Sequence, residues 1–186
     1  MSSLILSEFV SLDGVMEAPS EEPGNPRSGW VADRMSEAQL RFKLDECLEA
    51  GSLLIGRRTY EIFADAWPSR DGEFADKMNT MPKYVISTTL TGPAWNNTMV
   101  LCGDLHDAVR VRKAQDDAPI LCVGSRSVAQ GLMKHDLIDD YRVMVFPVVL
   151  GGGARLFPDA LEPRRLDLTD TQIFDSGVVV HTYRRA

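Results

Sequence analysis

The sequence predicts an α/β fold: a mixed, mostly parallel sheet with flanking helices on both faces and a C-terminal antiparallel strand pair. Three observations carry this. Short apolar runs alternate with helix-period stretches over the first two thirds of the chain. Ile120 to Val123 is wholly apolar, the pattern of a central strand buried on both faces. Two strand-like runs, 166–173 and 178–183, flank Asp175, Ser176 and Gly177, which read as a hairpin turn.

The elements follow in order. Leu4 to Val10 is a first strand, ended by the turn residues Asp13 and Gly14. Residues 17–29, "EAPSEEPGNPRSG", form a long loop, read either as a functional lid or as a disordered segment. Ser36 and Gln39 make a capping box, with Met35 and Leu40 as a hydrophobic staple. Leu40, Leu44, Cys47 and Leu48 then recur at helical spacing, so residues 37–50 are an amphipathic helix whose buried face they form. Gly51 stops it, and 52–56 is the next strand. A short helix covers 59–65, and 67–82 is irregular apart from a helical turn near Phe74. Tyr84 to Ser87 and Met99 to Cys102 are strands, and Asp104 caps a helix carrying Leu105, Ala108 and Val109. After Ile120 to Val123 comes a helix through Leu132. Tyr141 to Leu150 is a long strand interrupted by Pro147 and closed by Gly151, Gly152 and Gly153.

The 186 residues suit one domain, 1–186, and no internal repeat or linker divides them. A net charge of −7 argues against a nucleic-acid partner yet leaves room for a local anion site. Cys47, Cys102 and Cys122 form no CxxC pair, so neither a disulfide framework nor a metal site is expected. The chain shows no leader-like opening and no run of membrane-spanning length, which makes the cytoplasm the expected compartment.

Chemistry concentrates at strand ends. In open α/β sheets, ligands bind beyond the carboxyl ends of the strands. At "CVGSRSVAQ", Gly124 permits close backbone approach, Ser125 and Ser127 offer hydroxyls, and the helix start presents free N–H groups to a pyrophosphate. Ser125 as a plain helix cap is the alternative. At "IGRRTYE", Arg57, Arg58 and Thr59 offer two cations and a hydroxyl to phosphate oxygens. Ser87 and Thr88 add hydroxyls after a third strand. No Walker or Rossmann fingerprint is present.

The segments "SLDGV" (11–15), "IGRRTYE" (55–61), "YVIST" (84–88) and "VGSRSVAQGLMKHDLIDDYRVMVFPVVLGGGARLF" (123–157) resemble the RibD C-terminal, dihydrofolate-reductase-like superfamily. The resemblance spans nearly the whole chain. It implies about eight strands, NADPH as hydride donor, a small heterocyclic substrate and a homodimer. It further implies a relation to 5-amino-6-(5-phosphoribosylamino)uracil reductase of riboflavin biosynthesis. By resemblance, Gly56, Arg57, Arg58 and Thr59 hold cofactor phosphates, with Ser87 and Thr88 near the 2′-phosphate. Gly124, Ser125, Arg126, Ser127 and Val128, with Gln130 close by, match the pyrophosphate segment. Ser28 and Trp30 of "SGWVA" match residues beside the substrate and the nicotinamide. Asp13 and Glu37 are the candidates for a proton source. Ala38 stands where folate reductases place a carboxylate, Val15 where riboflavin reductases carry a base, and Cys122 where they often carry a glutamate. Two other readings stay open: a dihydrofolate or pterin reductase, and a non-catalytic domain that binds a nucleotide or a planar drug.

Overall fold

The computed structural model describes residues 1–22 and 24–186. Eight strands form one sheet in the order β4-β3-β2-β5-β1-β6-β8-β7. They are β1 (Leu4–Ser11), β2 (Ser52–Gly56), β3 (Lys83–Ile86), β4 (Thr98–Leu101), β5 (Ile120–Val123), β6 (Asp140–Phe146), β7 (Leu166–Ile173) and β8 (Val179–Arg185). The first six run parallel, and β8 joins β6 and β7 antiparallel. This is the expected mixed sheet with its closing strand pair. The apolar run 120–123 is central, between β1 and β2.

Helices α1 (Glu37–Glu49), α2 (Arg57–Ala66) and α3 (Glu73–Thr80) cover one face. Helices α4 (Leu105–Gln115) and α5 (Arg126–Lys134) cover the other. Leu4, Leu6, Ile120 and Cys122 pack with Val109 of α4 and Leu132 and Met133 of α5. Leu53, Ile55 and Val85 pack with Cys47, Tyr60 and Met78 on the opposite side. Among the described residues no helix is long and apolar enough to cross a membrane.

Several local expectations need correction. Helix α3 replaces half of the irregular stretch expected at 67–82: Ala75 and Met78, three residues apart, are both buried, too sparse a stripe to register as periodicity. Strand β3 begins at Lys83, not Tyr84, although Lys83 is charged. Its Nζ is fully buried and donates to the carbonyls of Asn79, Met81 and Asn96 at 3.2, 2.8 and 3.0 Å. Burial pulls this ammonium down to about 8. Strand β6 stops at Phe146, because Pro147 brings no N–H to the ladder.

The buried face of α1 is also not the apolar one. Leu40 is half exposed, and Leu48 is exposed as well. Cys47 is buried as expected, and Gln39 and Glu46 turn inward beside it. The capping interaction holds: Gln39 Oε1 accepts the Ser36 N–H at 2.6 Å. The sheet beneath α1 presents Ser7 and Arg142, and polar groups on the helix answer them.

Candidate active site at the strand ends

Because β1 to β6 run parallel, their carboxyl ends share one edge of the sheet. There the turn after β2 meets the turn after β5. Gly56 donates its N–H to Ser125 Oγ at 2.7 Å, and Ser125 Oγ donates to Thr59 Oγ1 at 2.7 Å. Ser125 therefore does not cap its own helix; its side chain makes no cap bond and ties the two turns together. The α5 first turn, Arg126, Ser127 and Val128, keeps its backbone N–H groups available to a ligand. Gly124 and Ser125 are both left-handed, with φ of 60° and 61°.

The glycines are required by crowding. A Cβ on Gly124 would lie 3.0 Å from Thr59 Cγ2 and 3.1 Å from Thr59 Oγ1; one on Gly56 would lie 3.2 Å from Val128 Cγ2. Left-handed backbone costs a residue with a Cβ roughly 1–2 kcal/mol. Gly124→Ala is thus expected to lower stability by about that amount and to weaken dinucleotide binding, checked by urea unfolding and a fluorescence titration.

The arginines stand beside this junction. Helix α2 begins at Arg57, two residues earlier than expected, so both guanidinium groups sit in its first turn. Arg57 Nε pairs with Glu61 at 2.7 Å, and Arg57 NH1 donates to Thr89 Oγ1 at 2.7 Å. Arg58 pairs with Glu22 of the early loop. Ser87 Oγ accepts the N–H groups of Thr89 and Leu90 at 3.1 and 2.9 Å, which folds the end of β3 toward Arg57. Thr88 is exposed. Thr89, which accepts from Arg57, lies one residue beyond the Ser87-Thr88 pair that the sequence marks, and nothing local to it signals that contact.

The early loop closes on itself, with Gly29 N–H donating to Ala18 O at 3.1 Å and Val31 N–H to Pro19 O at 3.3 Å. Ser28 Oγ bonds within the loop, to Glu22 O and Asn25 O. Trp30 donates from Nε1 to Glu17 O at 2.9 Å and meets Phe146 edge-on at 5.5 Å.

Three candidates sit elsewhere. Gln130 donates to Arg155 O and Leu156 O at 3.1 and 3.2 Å, bracing the 155–156 segment. Glu37 is exposed on α1, as is Ala38. Asp13 clamps the turn after β1: Ser11 Oγ donates to it at 2.6 Å, and the N–H groups of Leu150 and Gly151 at 3.1 and 2.9 Å. Those bonds, the Ser11 hydroxyl foremost, lower its carboxyl to about 2, so it is a carboxylate at neutral pH. A depressed folded-state value means stability that is present above about 4 and fades as pH falls toward 2. Asp13→Asn is expected to flatten that acid limb in urea midpoints measured against pH.

Sequence reading missed Glu8, Ser7, Lys43 and Glu46. Glu8 is buried under the β5 turn, where Oε2 accepts the Gly124 N–H at 3.1 Å and Oε1 has no partner among the described residues. Burial pushes its carboxyl well above the usual range. The adjacent polar pair Ser7-Glu8 inside an otherwise apolar strand was the available signal. A cleft of about 840 Å3 lies at the opposite edge, beside Ser3, Lys113, Asp140 and Arg184. Ion pairs such as Lys113–Asp139 and Arg184–Asp140 occupy its charged groups.

Comparison with known proteins fits this geometry. The model of the RibD C-terminal domain matches residues 2–180. The protein YwjB of Bacillus subtilis (strain 168) is 33% identical over 183 residues, 97% of each chain. A diaminohydroxyphosphoribosylaminopyrimidine deaminase/5-amino-6-(5-phosphoribosylamino)uracil reductase of Thermotoga maritima superposes with a TM-score of 0.69 at 15% identity; the match covers all of this chain and 57% of that one. Dihydrofolate reductase from Enterococcus faecalis, complexed with NADP(H), gives a TM-score of 0.65 at 13% identity, covering 98% and 96% of the two chains. At such identities the two structures speak for the fold, which is dihydrofolate-reductase-like. With the family model covering nearly its whole length, the chain belongs to the RibD C-terminal domain family.

Proposed function

We propose that this protein is an NADPH-dependent reductase of a small heterocyclic substrate, related to the 5-amino-6-(5-phosphoribosylamino)uracil reductases. One observation carries the reading: α2 and α5 start side by side, each with an arginine as its first residue, no acid in the first turn and no side-chain cap. Cations at the positive end of a helix dipole are unfavourable, by about 0.3–1 kcal/mol each. Helices α1, α3 and α4 obey the usual rule, with Glu37, Glu73 and Asp107 in their first turns. Two neighbouring breaches of a local rule mark a site built for an anion.

The residues present suit a phosphorylated dinucleotide. The α5 first turn and Gly124 would hold the pyrophosphate, and Arg57 and Arg58 the 2′-phosphate, exchanging Glu61 and Glu22 for it. When bound, NADPH supplies the hydride. The protein orients the reactants and excludes water, with Trp30, backed by the buried Phe146, as one wall. No inward carboxylate opens α1, where the inward residue Gln39 is engaged by Ser36 and Arg34, and this does not favour the folate reading. NADPH titration followed by fluorescence, then a panel of oxidised pyrimidines and pteridines read at the cofactor's absorbance, tests the proposal. Failure to bind micromolar NADPH would refute it.

We also propose a homodimer, on grounds different from those in the sequence. The long strand expected at 141–150 is interior: Val143, Met144 and Phe146 are buried between β1 and β8. The edge strand β7 is instead uncovered, with Leu168 and Ile173 at 57% and 74% exposure. Light scattering is expected to give twice the chain mass, falling to one chain in Leu168→Asp/Ile173→Asp.

A further inference from the structure

Strands β1 and β5 are central, with neighbours on both sides, yet on the α1 face their carboxyl-terminal side chains Phe9 and Val123 are only half-buried. Among the described residues the layer over them is incomplete. This gap adjoins the phosphate junction, since Ser7 is in register with Val123, the residue before Gly124. Phe9 and Trp30, both half-buried, stand on one side, each packed edge-on against the fully buried Phe146 at 5.6 and 5.5 Å. At its inner end stands Lys43 of α1, with Nζ 5.2 Å from the Phe9 ring centroid.

Lys43 is held in place. Its Nζ donates to Ser7 Oγ at 2.7 Å and lies 2.6 Å from Glu46 Oε2; its side chain is 14% exposed. Ser7 Oγ donates to Glu46 at 2.9 Å, and Arg142 faces the other Glu46 oxygen at 3.6 Å. Two cations thus share one fully buried carboxylate; Glu49, the second acid, is half exposed and pairs with Arg142. An ammonium has three donors, and two are engaged here. An apolar group in this place would pack without such partners, and buried ion groups are often replaceable by apolar ones at no loss of stability.

We propose that Lys43 is the substrate-recognising cation of this gap, and that it selects a planar heterocycle presenting an anionic oxygen, such as a ring enolate or a carboxylate. The aromatic side receives the ring, and the third ammonium donor meets the oxygen. Ser7 and Glu46 are positioning residues that fix Nζ. The inference rests on the reading of the adjacent junction as the dinucleotide site.

The test uses pterin-6-carboxylate and pterin, fluorescent planar bicycles that differ by one anionic group. Each is titrated into the protein with and without saturating NADP+, after a separate NADPH titration. Wild type is expected to bind the carboxylate about tenfold more tightly than pterin. Lys43→Arg should keep most of that preference. Lys43→Met should erase it while leaving NADPH affinity within about twofold. The double variant Lys43→Met/Glu46→Leu removes both charges and guards against misfolding of the single one. Loss of NADPH binding in wild type refutes the dinucleotide reading alone, because the cofactor-free pterin titrations still decide on Lys43. Equal affinities, no binding of either pterin, or a preference that survives loss of the lysine overturns the assignment.

Discussion

Arg57→Ala/Arg58→Ala is expected to weaken NADPH about a hundredfold and to leave NADH within about twofold. A charge-assisted hydrogen bond contributes about 1.5–3 kcal/mol. The lower end applies, because the two side chains are 49% and 73% exposed and must first leave Glu61 and Glu22. Two losses of about 1.5 kcal/mol make roughly two factors of ten. NADH lacks the 2′-phosphate and should not respond. The same competition gives the sign of a partner test: Glu22→Gln frees Arg58 and should tighten NADPH. Parallel weakening of both cofactors in the double variant would remove the arginines from any role in discrimination.

The largest effect on stability is expected at Glu46. This carboxylate is buried against Lys43, Ser7 and Arg142. Glu46→Leu leaves two largely buried cations facing each other without their counter-charge, and breaking a buried ion pair from one side costs about 3–5 kcal/mol. Lys43→Met/Glu46→Leu should recover a large part of the loss, since only Arg142 then remains, and Arg142 keeps Glu49 at 2.9 Å. Urea unfolding of wild type, both singles and the double closes a mutant cycle. A Glu46→Leu protein as stable as wild type would show that the cluster carries no net electrostatic weight.

The sequence by itself determined the sheet, because alternating apolar runs and capped helices leave few ways to bury their faces. It also located the candidate phosphate site: "IGRRTYE" and "CVGSRSVAQ" each follow a strand, and parallel strands must deliver their carboxyl ends to one edge. The tertiary structure decided which polar residues are inside. Periodicity counts apolar side chains, so it placed Leu40 and Leu48 of α1 inward; burial went to Gln39 and Glu46 because partners on other elements satisfy them. The role of Ser125 was equally hidden, since its bonds reach Gly56 and Thr59, more than sixty residues away. A buried charge or a crossing hydroxyl is stable only through groups distant in the chain, and that pairing is written in three dimensions, not in any local stretch.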